Sequence, residues 1–335
     1  MNSIIHQQSQ LIAQNMDVYF YEAFEEETDA LKSLLGNQLS YDLTDKTIQE
    51  AGHLNPPARL ISIRTQSIVP PGWASKLDGI LSRSTGYDHL KRYLEGIHIQ
   101  LPCGYLEEYA TRAVAEHAIL LMMALMRRLP QQMTQFQHFD RDGLTGGECS
   151  DKNLLVVGVG RIGSEIVKIG TALGMNVRGV DIVHHNNEVH YNGKEEGIAW
   201  ADVIICAMNL TNENRGYFSY NLLKQAKQGI LFINVARGEH APLSDLLKLV
   251  QEHHLCGLGL DVFEDEPNVA VALRSGHMKT SSEAQIVTAL LQHPNILFTP
   301  HNAFNTIEAV QRKSQFTVDE VLYFLKNKNF RCAVR

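Results

Sequence analysis

Residues Gly158-Val159-Gly160-Arg161-Ile162-Gly163 follow directly on the apolar run Leu154-Leu155-Val156-Val157 and open a helical pattern. A strand, a glycine turn and a helix in that order confine this part of the chain to a parallel α/β sheet. Gly158 permits the tight turn out of the strand, Gly160 lets the backbone approach a pyrophosphate, and Gly163 lets the helix pack closely on the sheet. The start of that helix offers unpaired N–H groups and a partial positive charge to phosphates. Asp181 closes the next strand, 18 residues beyond Gly163. An acid there accepts both ribose hydroxyls and repels a 2′-phosphate, which favours NAD over NADP. A bare glycine turn also occurs in α/β proteins that bind no nucleotide, and in methyltransferases that bind an adenosyl sulfonium. Strand, helix and downstream acid together carry the dinucleotide reading.

The rest of the chain alternates strands and helices in two blocks. Strand candidates of the first are 17–21, 39–43, 60–63, 79–82 and 96–101, with a helix over 22–35 and another near 110–128. The second block offers six strands, 154–157, 175–180, 203–207, 230–235, 258–262 and 296–298, the count of a complete dinucleotide-binding sheet. Short runs rich in Ile, Leu and Val suit parallel strands buried on both faces. A long amphipathic helix over 306–326 ends the chain and has to cross back to the first block. The expected fold class is therefore α/β with two doubly wound parallel-sheet domains. A Rossmann domain at 112–302 is inserted into a flavodoxin-like domain made of 1–111 and 303–335.

Length supports the two-domain reading, because a single core rarely grows past about 250–300 residues and this chain has 335. Net charge is −7, with no run of five like charges, so no nucleic-acid partner is expected. The longest apolar run, Ala118–Met126, is nine residues, well short of the roughly 20 a membrane span needs. The first fifteen residues lack the positive start and apolar core of a signal peptide. Five scattered cysteines, Cys103, Cys149, Cys206, Cys256 and Cys332, contain no CxxC and suit a reducing compartment. A cytoplasmic location is expected.

Three polar residues lie just past predicted strand ends: Arg237 in INVARGE, Glu266 in LDVFEDEP and His301 in LFTPHNA. Open α/β sheets bind ligands along that edge. Arg offers a planar fork for a carboxylate and polarises a ketone oxygen. His exchanges a hydroxyl proton near neutral pH, and a carboxylate beside it fixes the ring tautomer. Singly, each has a plainer role: a helix cap, a solvated loop acid, a turn residue. Jointly they fit carbonyl–alcohol hydride transfer, whose hydride chemistry belongs to the cofactor.

VVGVGRIGSEI, INVARGE, LDVFEDEP and LFTPHNAF, in this order, resemble the D-isomer-specific 2-hydroxyacid dehydrogenases, over nearly the whole chain from about residue 16. The resemblance implies Arg237 as substrate clamp, His301 as acid and base, and Glu266 as its partner. It implies NAD as cofactor, bound by Gly158, Gly160, Arg161, Ile162, Gly163, Asp181, Asn209, Ala236 and Asp261. In ILSRSTGYDHL it implies that Thr85 and Gly86 present backbone N–H groups to a substrate carboxylate. Tyr109 resembles a substrate-contacting tyrosine of the D-lactate dehydrogenase branch; it reads equally well as an aromatic packed at a helix start. The 35-residue spacing from Glu266 to His301 leaves room for an extra helix near 285–291, as in that branch. The resemblance also implies a homodimer acting on a small 2-keto or 2-hydroxy acid, with pyruvate and D-lactate the leading pair. Two departures stand out. The stretch Ala207-Met208-Asn209-Leu210-Thr211 lacks the proline common after that strand, and His240-Ala241-Pro242 replaces the usual residues after RGE.

Other signals are weaker. His184-His185 and His253-His254 lack metal-ligand spacing, so no metal is expected. Met122, Met123 and Met126 read as core or a dimer face, and Cys206 as buried and inert. A second class, a dinucleotide-sensing interaction protein like the corepressors that resemble this family, would bind NADH without turnover.

Overall fold

The computed structural model describes residues 16–276 and 281–334. The chain divides into two compact units, one built from the residues up to Ala110 and from Asn305 onward, the other from Thr111–Phe304.

The first unit holds a five-stranded parallel sheet: β1 Val18–Phe20, β2 Tyr41–Leu43, β3 Leu60–Ile63, β4 Gly79–Ser82 and β5 Cys103–Gly104, in the order β2-β1-β3-β4-β5. This is the flavodoxin-like order. β1, β3 and β4 are buried along their whole length, which explains runs that are mostly apolar, with only Ser62 and Ser82 as polar side chains among the aliphatic residues of β3 and β4. The expected strand at 96–101 does not form. Gly96 ends the helix Asp88–Glu95, and the next pairing begins only past Pro102, whose carbonyl accepts from Ile80 N–H at 3.0 Å. The Ile97, Ile99 and Leu101 alternation that suggested a strand lies in the connection.

The last helix, Ile307–Asn327, packs on Glu25–Leu35 and on β4. Thr306 caps it, its Oγ1 accepting from Ala309 N–H at 3.2 Å. Its inner face carries Val310, Val318, Val321 and Phe324, together with the wholly buried Lys313.

The second unit holds a seven-stranded parallel sheet: β6 Asn153–Val157, β7 Asn176–Val180, β8 His190–Tyr191, β9 Val203–Cys206, β10 Ile230–Asn234, β11 Leu255–Leu260 and β12 Ile296–Phe298. The order β12-β11-β10-β9-β6-β7-β8 contains the doubly wound dinucleotide-binding arrangement, with the direction of winding reversing between β6 and β9. Sequence reading missed β8: two residues at the sheet edge, His190 and Tyr191, give no apolar run to detect. The nine-residue apolar stretch Ala118–Met126 belongs to the helix Thr111–Met126, which lies on β10 and β11. The extra helix expected between Glu266 and His301 forms at Ser282–Leu290, after a first one at Glu266–Ser275.

Charge is buried in the first unit. Glu27, Arg83 and Lys313 are all at 0% exposure; Arg83 Nε donates to Glu27 Oε1 at 2.9 Å, and Lys313 Nζ lies 3.3 Å from the same oxygen. Burial pushes the Glu27 carboxyl up, but Arg83 and Lys313 outweigh it and hold the group at about 2. This lies below the unfolded value of 4.5, so its stabilisation is full above 4.5 and is lost as pH falls toward about 2. Removing one partner from a buried ion pair costs about 3–5 kcal/mol. Glu27→Gln should therefore lower the unfolding midpoint of the first unit at pH 7, and by less at pH 3, in denaturant melts followed by circular dichroism. An equal loss at both pH values would contradict the assignment.

Candidate active site

Gly158 leaves β6 with φ +91°, and a Cβ there would meet Met208 Cα at 2.5 Å. Gly163 sits one turn into the helix Arg161–Ala172, where a Cβ would strike Gly158 O at 1.9 Å. Gly160, the N-cap, faces space that no protein atom within 4 Å fills and has no side chain to cap the helix. The first-turn N–H groups, Arg161 and Ile162 among them, therefore border a cradle of the kind a pyrophosphate fits. Gly158 and Gly163 are required by close packing of the fold, while at Gly160 no packing contact requires a glycine.

Asp181 follows β7 and is tied to this loop. Its Oδ2 accepts from Val159 N–H at 2.6 Å and its Oδ1 from Val183 N–H at 3.1 Å. Beside it, the His184 ring stacks on Tyr191 of β8 at 3.9 Å and 7°. His184 follows Asp181 by three residues, and its stacking partner lies in an edge strand that carries no apolar run.

Asn209 follows β9. The turn that lacks proline is closed by Asn214 instead, which donates Nδ2–H to Asn209 O at 2.7 Å and accepts from Thr211 N–H at 2.8 Å. Asn234, the wholly buried last residue of β10, braces the next turn on both sides. Its Oδ1 accepts from Ala236 N–H at 3.0 Å and its Nδ2 donates to Arg237 O at 2.8 Å. Arg237 Nη1 donates to Ala236 O at 2.8 Å. Gly238 follows because a Cβ there would meet Phe263 C at 2.1 Å, so the turns after β10 and β11 touch backbone to backbone. His240, the other departure, is buried with Nδ1 3.7 Å from Cys206 Sγ, and burial pushes that thiol up to about 12.

Glu266 begins the helix Glu266–Ser275, entered through Asp265 at φ 52° and with Pro267 next. His301 follows β12 at φ 51°, a left-handed conformation that costs a non-glycine residue about 1–2 kcal/mol. Its Nδ1 lies 3.0 and 3.1 Å from the two Glu266 oxygens. With Nδ1–H donating to the carboxylate, Nε2 is left to hold or give a proton. Asp261, 1% exposed, anchors the His301 turn. It accepts from Thr299 Oγ1 at 2.5 Å, Asn302 N–H at 2.8 Å and Ala303 N–H at 3.0 Å, while its backbone O takes His301 N–H at 3.0 Å. His117 Nε2 lies 3.0 Å from Thr299 Oγ1. Thr299 and Asn234 are supporting residues that sequence reading did not identify.

Arg237, Glu266 and His301 thus stand past the ends of β10, β11 and β12, three adjacent strands of one sheet edge. Thr85, Gly86 and Tyr109 belong to the first unit. Thr85 and Gly86 follow β4; Tyr109 is buried, and its carbonyl accepts from Arg312 Nε at 2.9 Å. Among the described residues, no three His, Cys, Asp or Glu side chains gather as for a metal, and no helix is long and apolar enough to cross a membrane.

Fold and comparisons with known proteins together define an NAD-dependent oxidoreductase acting on a CH–OH group. The model of the D-isomer specific 2-hydroxyacid dehydrogenase NAD-binding domain matches residues 119–303, and the chain belongs to that family, with NAD as its cofactor. It is 32% identical over 223 residues to a D-3-phosphoglycerate dehydrogenase of Bacillus subtilis, a match covering 64% of this chain but only 39% of that one. It is 28% identical over 244 residues to a D-lactate dehydrogenase of Streptococcus agalactiae, covering 69% of this chain and 71% of the relative. Among solved structures, a D-lactate dehydrogenase from Aquifex aeolicus, complexed with NAD and lactic acid, superposes with a TM-score of 0.83 at 26% identity, over 95% of this chain and 100% of that one.

The glycines give a test that separates fold from ligand. Gly160→Ala should leave the thermal midpoint unchanged and weaken NADH binding at least about tenfold, read by quenching of protein fluorescence. Gly163→Ala should lower the midpoint as well. Unaltered NADH affinity in Gly160→Ala would contradict the cradle.

Proposed function

We propose that the protein is a reversible D-2-hydroxyacid dehydrogenase that reduces a small 2-keto acid, with pyruvate and D-lactate the leading pair. The observation that carries this reading is the His301–Glu266 pair on the strand-end edge that also bears Arg237. Names borne by the relatives, D-lactate dehydrogenase among them, support the substrate class. The dinucleotide would be held at its pyrophosphate by the glycine cradle, and its nicotinamide would supply the hydride. Arg237 holds the substrate carboxylate and polarises the ketone oxygen. Backbone N–H groups of Thr85 and Gly86 are the proposed further donors to that carboxylate, and Tyr109 a proposed contact to the substrate. His301 Nε2 gives its proton to the alkoxide that forms, and Glu266 steadies the imidazolium through Nδ1. In the oxidising direction neutral His301 takes the hydroxyl proton. Asn209, Ala236 and Asp261 are proposed, with the glycine cradle and Asp181, to line the dinucleotide. The Asp181 carboxylate, pinned by two backbone N–H groups, favours NADH over NADPH.

A panel of 2-keto acids offered with NADH and with NADPH tests this directly. Arg237→Ala and His301→Ala should each lower kcat/KM by about 10²–10⁴-fold while NADH binding survives. Tight NADH binding without turnover of any 2-keto acid would overturn the dehydrogenase reading in favour of a dinucleotide sensor.

We also propose a homodimer in the cytoplasm. Leu120, Met123, Leu129, Met133, Phe136 and Phe139 are all exposed within one stretch of twenty residues. Such a concentration of apolar side chains marks an interaction face. Light scattering should give twice the chain mass, and paired charges at Met133 and Phe136 (M133E with F136E) should halve it. A parent that runs as a monomer would refute the dimer.

A further inference from the structure

The loop Ser84-Thr85-Gly86 leaves β4 with the Ser84 and Gly86 carbonyls and the Ser84 hydroxyl engaged. Leu106 N–H donates to Ser84 O at 3.1 Å, and Ser84 Oγ donates to Gly86 O at 2.7 Å. Ser82 Oγ lies 2.7 Å from Ser84 Oγ and 3.0 Å from His89 Nε2. Among the described residues, no protein group accepts from Thr85 N–H or Gly86 N–H.

One residue earlier stands Arg83, wholly buried. Its guanidinium donates to Glu27 Oε1 at 2.9 Å and Oε2 at 3.3 Å, to Tyr21 O at 2.6 Å, to Glu22 O at 3.0 Å and to Ser62 Oγ at 3.1 Å. Tyr21 and Glu22 lie just past β1, Ser62 lies in β3 and Arg83 just past β4, so one planar fork ties three neighbouring strands. Lys313 sets a second cation on Glu27 from the last helix. Glu22 completes the edge: its carboxylate accepts from Arg64, Gln66 and Ser67 N–H at 2.8, 3.1 and 3.2 Å.

For packing alone, buried ions are a poor choice, since apolar residues of like volume are often as stabilising or more so. A rigid fork offers angular definition of the chain that leaves the strand. We propose that the Arg83–Glu27 pair is a positioning device for the loop that takes the substrate carboxylate. It holds Ser84, Thr85 and Gly86 so that two adjacent N–H groups stay unspent, and a carboxylate binds without first ordering the loop. Arg83 is a positioning residue; it touches no substrate. This inference rests on the 2-keto acid reading and on Thr85 and Gly86 as carboxylate donors.

Arg83→Lys tests it, since Lys keeps a cation for Glu27 but loses the fork. In the variant, KM for the best 2-keto acid should rise about tenfold, with kcat and NADH affinity near those of the parent. The preference for the keto acid over its own carboxamide should fall by a similar factor, which a merely structural role would not change. Ser84→Ala, which frees Gly86 O without touching the buried ions, should show the same split and serves where Arg83→Lys does not fold. An unchanged KM and an unchanged acid-to-amide preference would overturn the proposal, whatever happens to stability. A parent that reduces no 2-keto acid would sink the functional reading and this proposal with it. An active parent with unaltered variants would sink the proposal alone.

Discussion

The Asp261 carboxylate holds the candidate site together. It is almost fully buried, yet it receives a hydroxyl and two backbone N–H groups from Thr299, Asn302 and Ala303. Those donors bracket His301, whose left-handed backbone would otherwise relax. Each buried donor left without an acceptor costs about 1–3 kcal/mol, comparable to the strain at His301, so the carboxylate can hold the turn. The imidazole is then fixed at two points, by its backbone through Asp261 and by its ring through Glu266. A proton carrier fixed in this way has little freedom to lose when it meets a substrate oxygen.

The same device recurs at other strand termini. Glu22 collects three N–H groups after β3, Asp181 ties the glycine loop to the end of β7, and Asp202 takes Asn153 N–H at 2.9 Å at the start of β6. A carboxylate accepts several bonds at once and bears a charge that strengthens each, so one acid can organise a turn that hydroxyls or amides would need several residues to hold. The formal charge of −7 therefore misdescribes the surface. Several of its acids are spent inside the molecule on backbone donors, and the candidate anion sites draw on N–H groups and on Arg237 rather than on a net positive field.

The doubly wound pattern was legible because β6, β9 and β10 are apolar runs punctuated by glycine or polar turns. The residues proposed to carry chemistry were legible because Arg237, Glu266 and His301 each follow such a run. What stayed hidden is what depends on contacts far apart in the chain. β8 is two residues, His190 and Tyr191, placed by pairing with β7 and by the His184 stack rather than by an apolar run. The apparent strand at 96–101 had the right alternation but no partner, since β4 pairs further on, at Cys103 and Gly104. Asn234 looked like the end of a strand; its role shows only where both arms of its amide meet the following turn. Thr299 looked like part of a motif, while its partners Asp261 and His117 lie 38 and 182 residues away.

The three glycines of the nucleotide loop show why a motif alone mixes two demands. At Gly158 and Gly163 a methyl group collides with protein backbone, so those positions are required by the strand–turn–helix whether or not anything binds. At Gly160 a methyl group collides with nothing in the protein. Packing alone would admit a larger residue there, and the open face it leaves is what a pyrophosphate approaching the helix start requires. Gly160 is thus the position of the three at which the protein's own packing does not demand glycine. It ties the glycine loop to a nucleotide more directly than the two glycines that shape it.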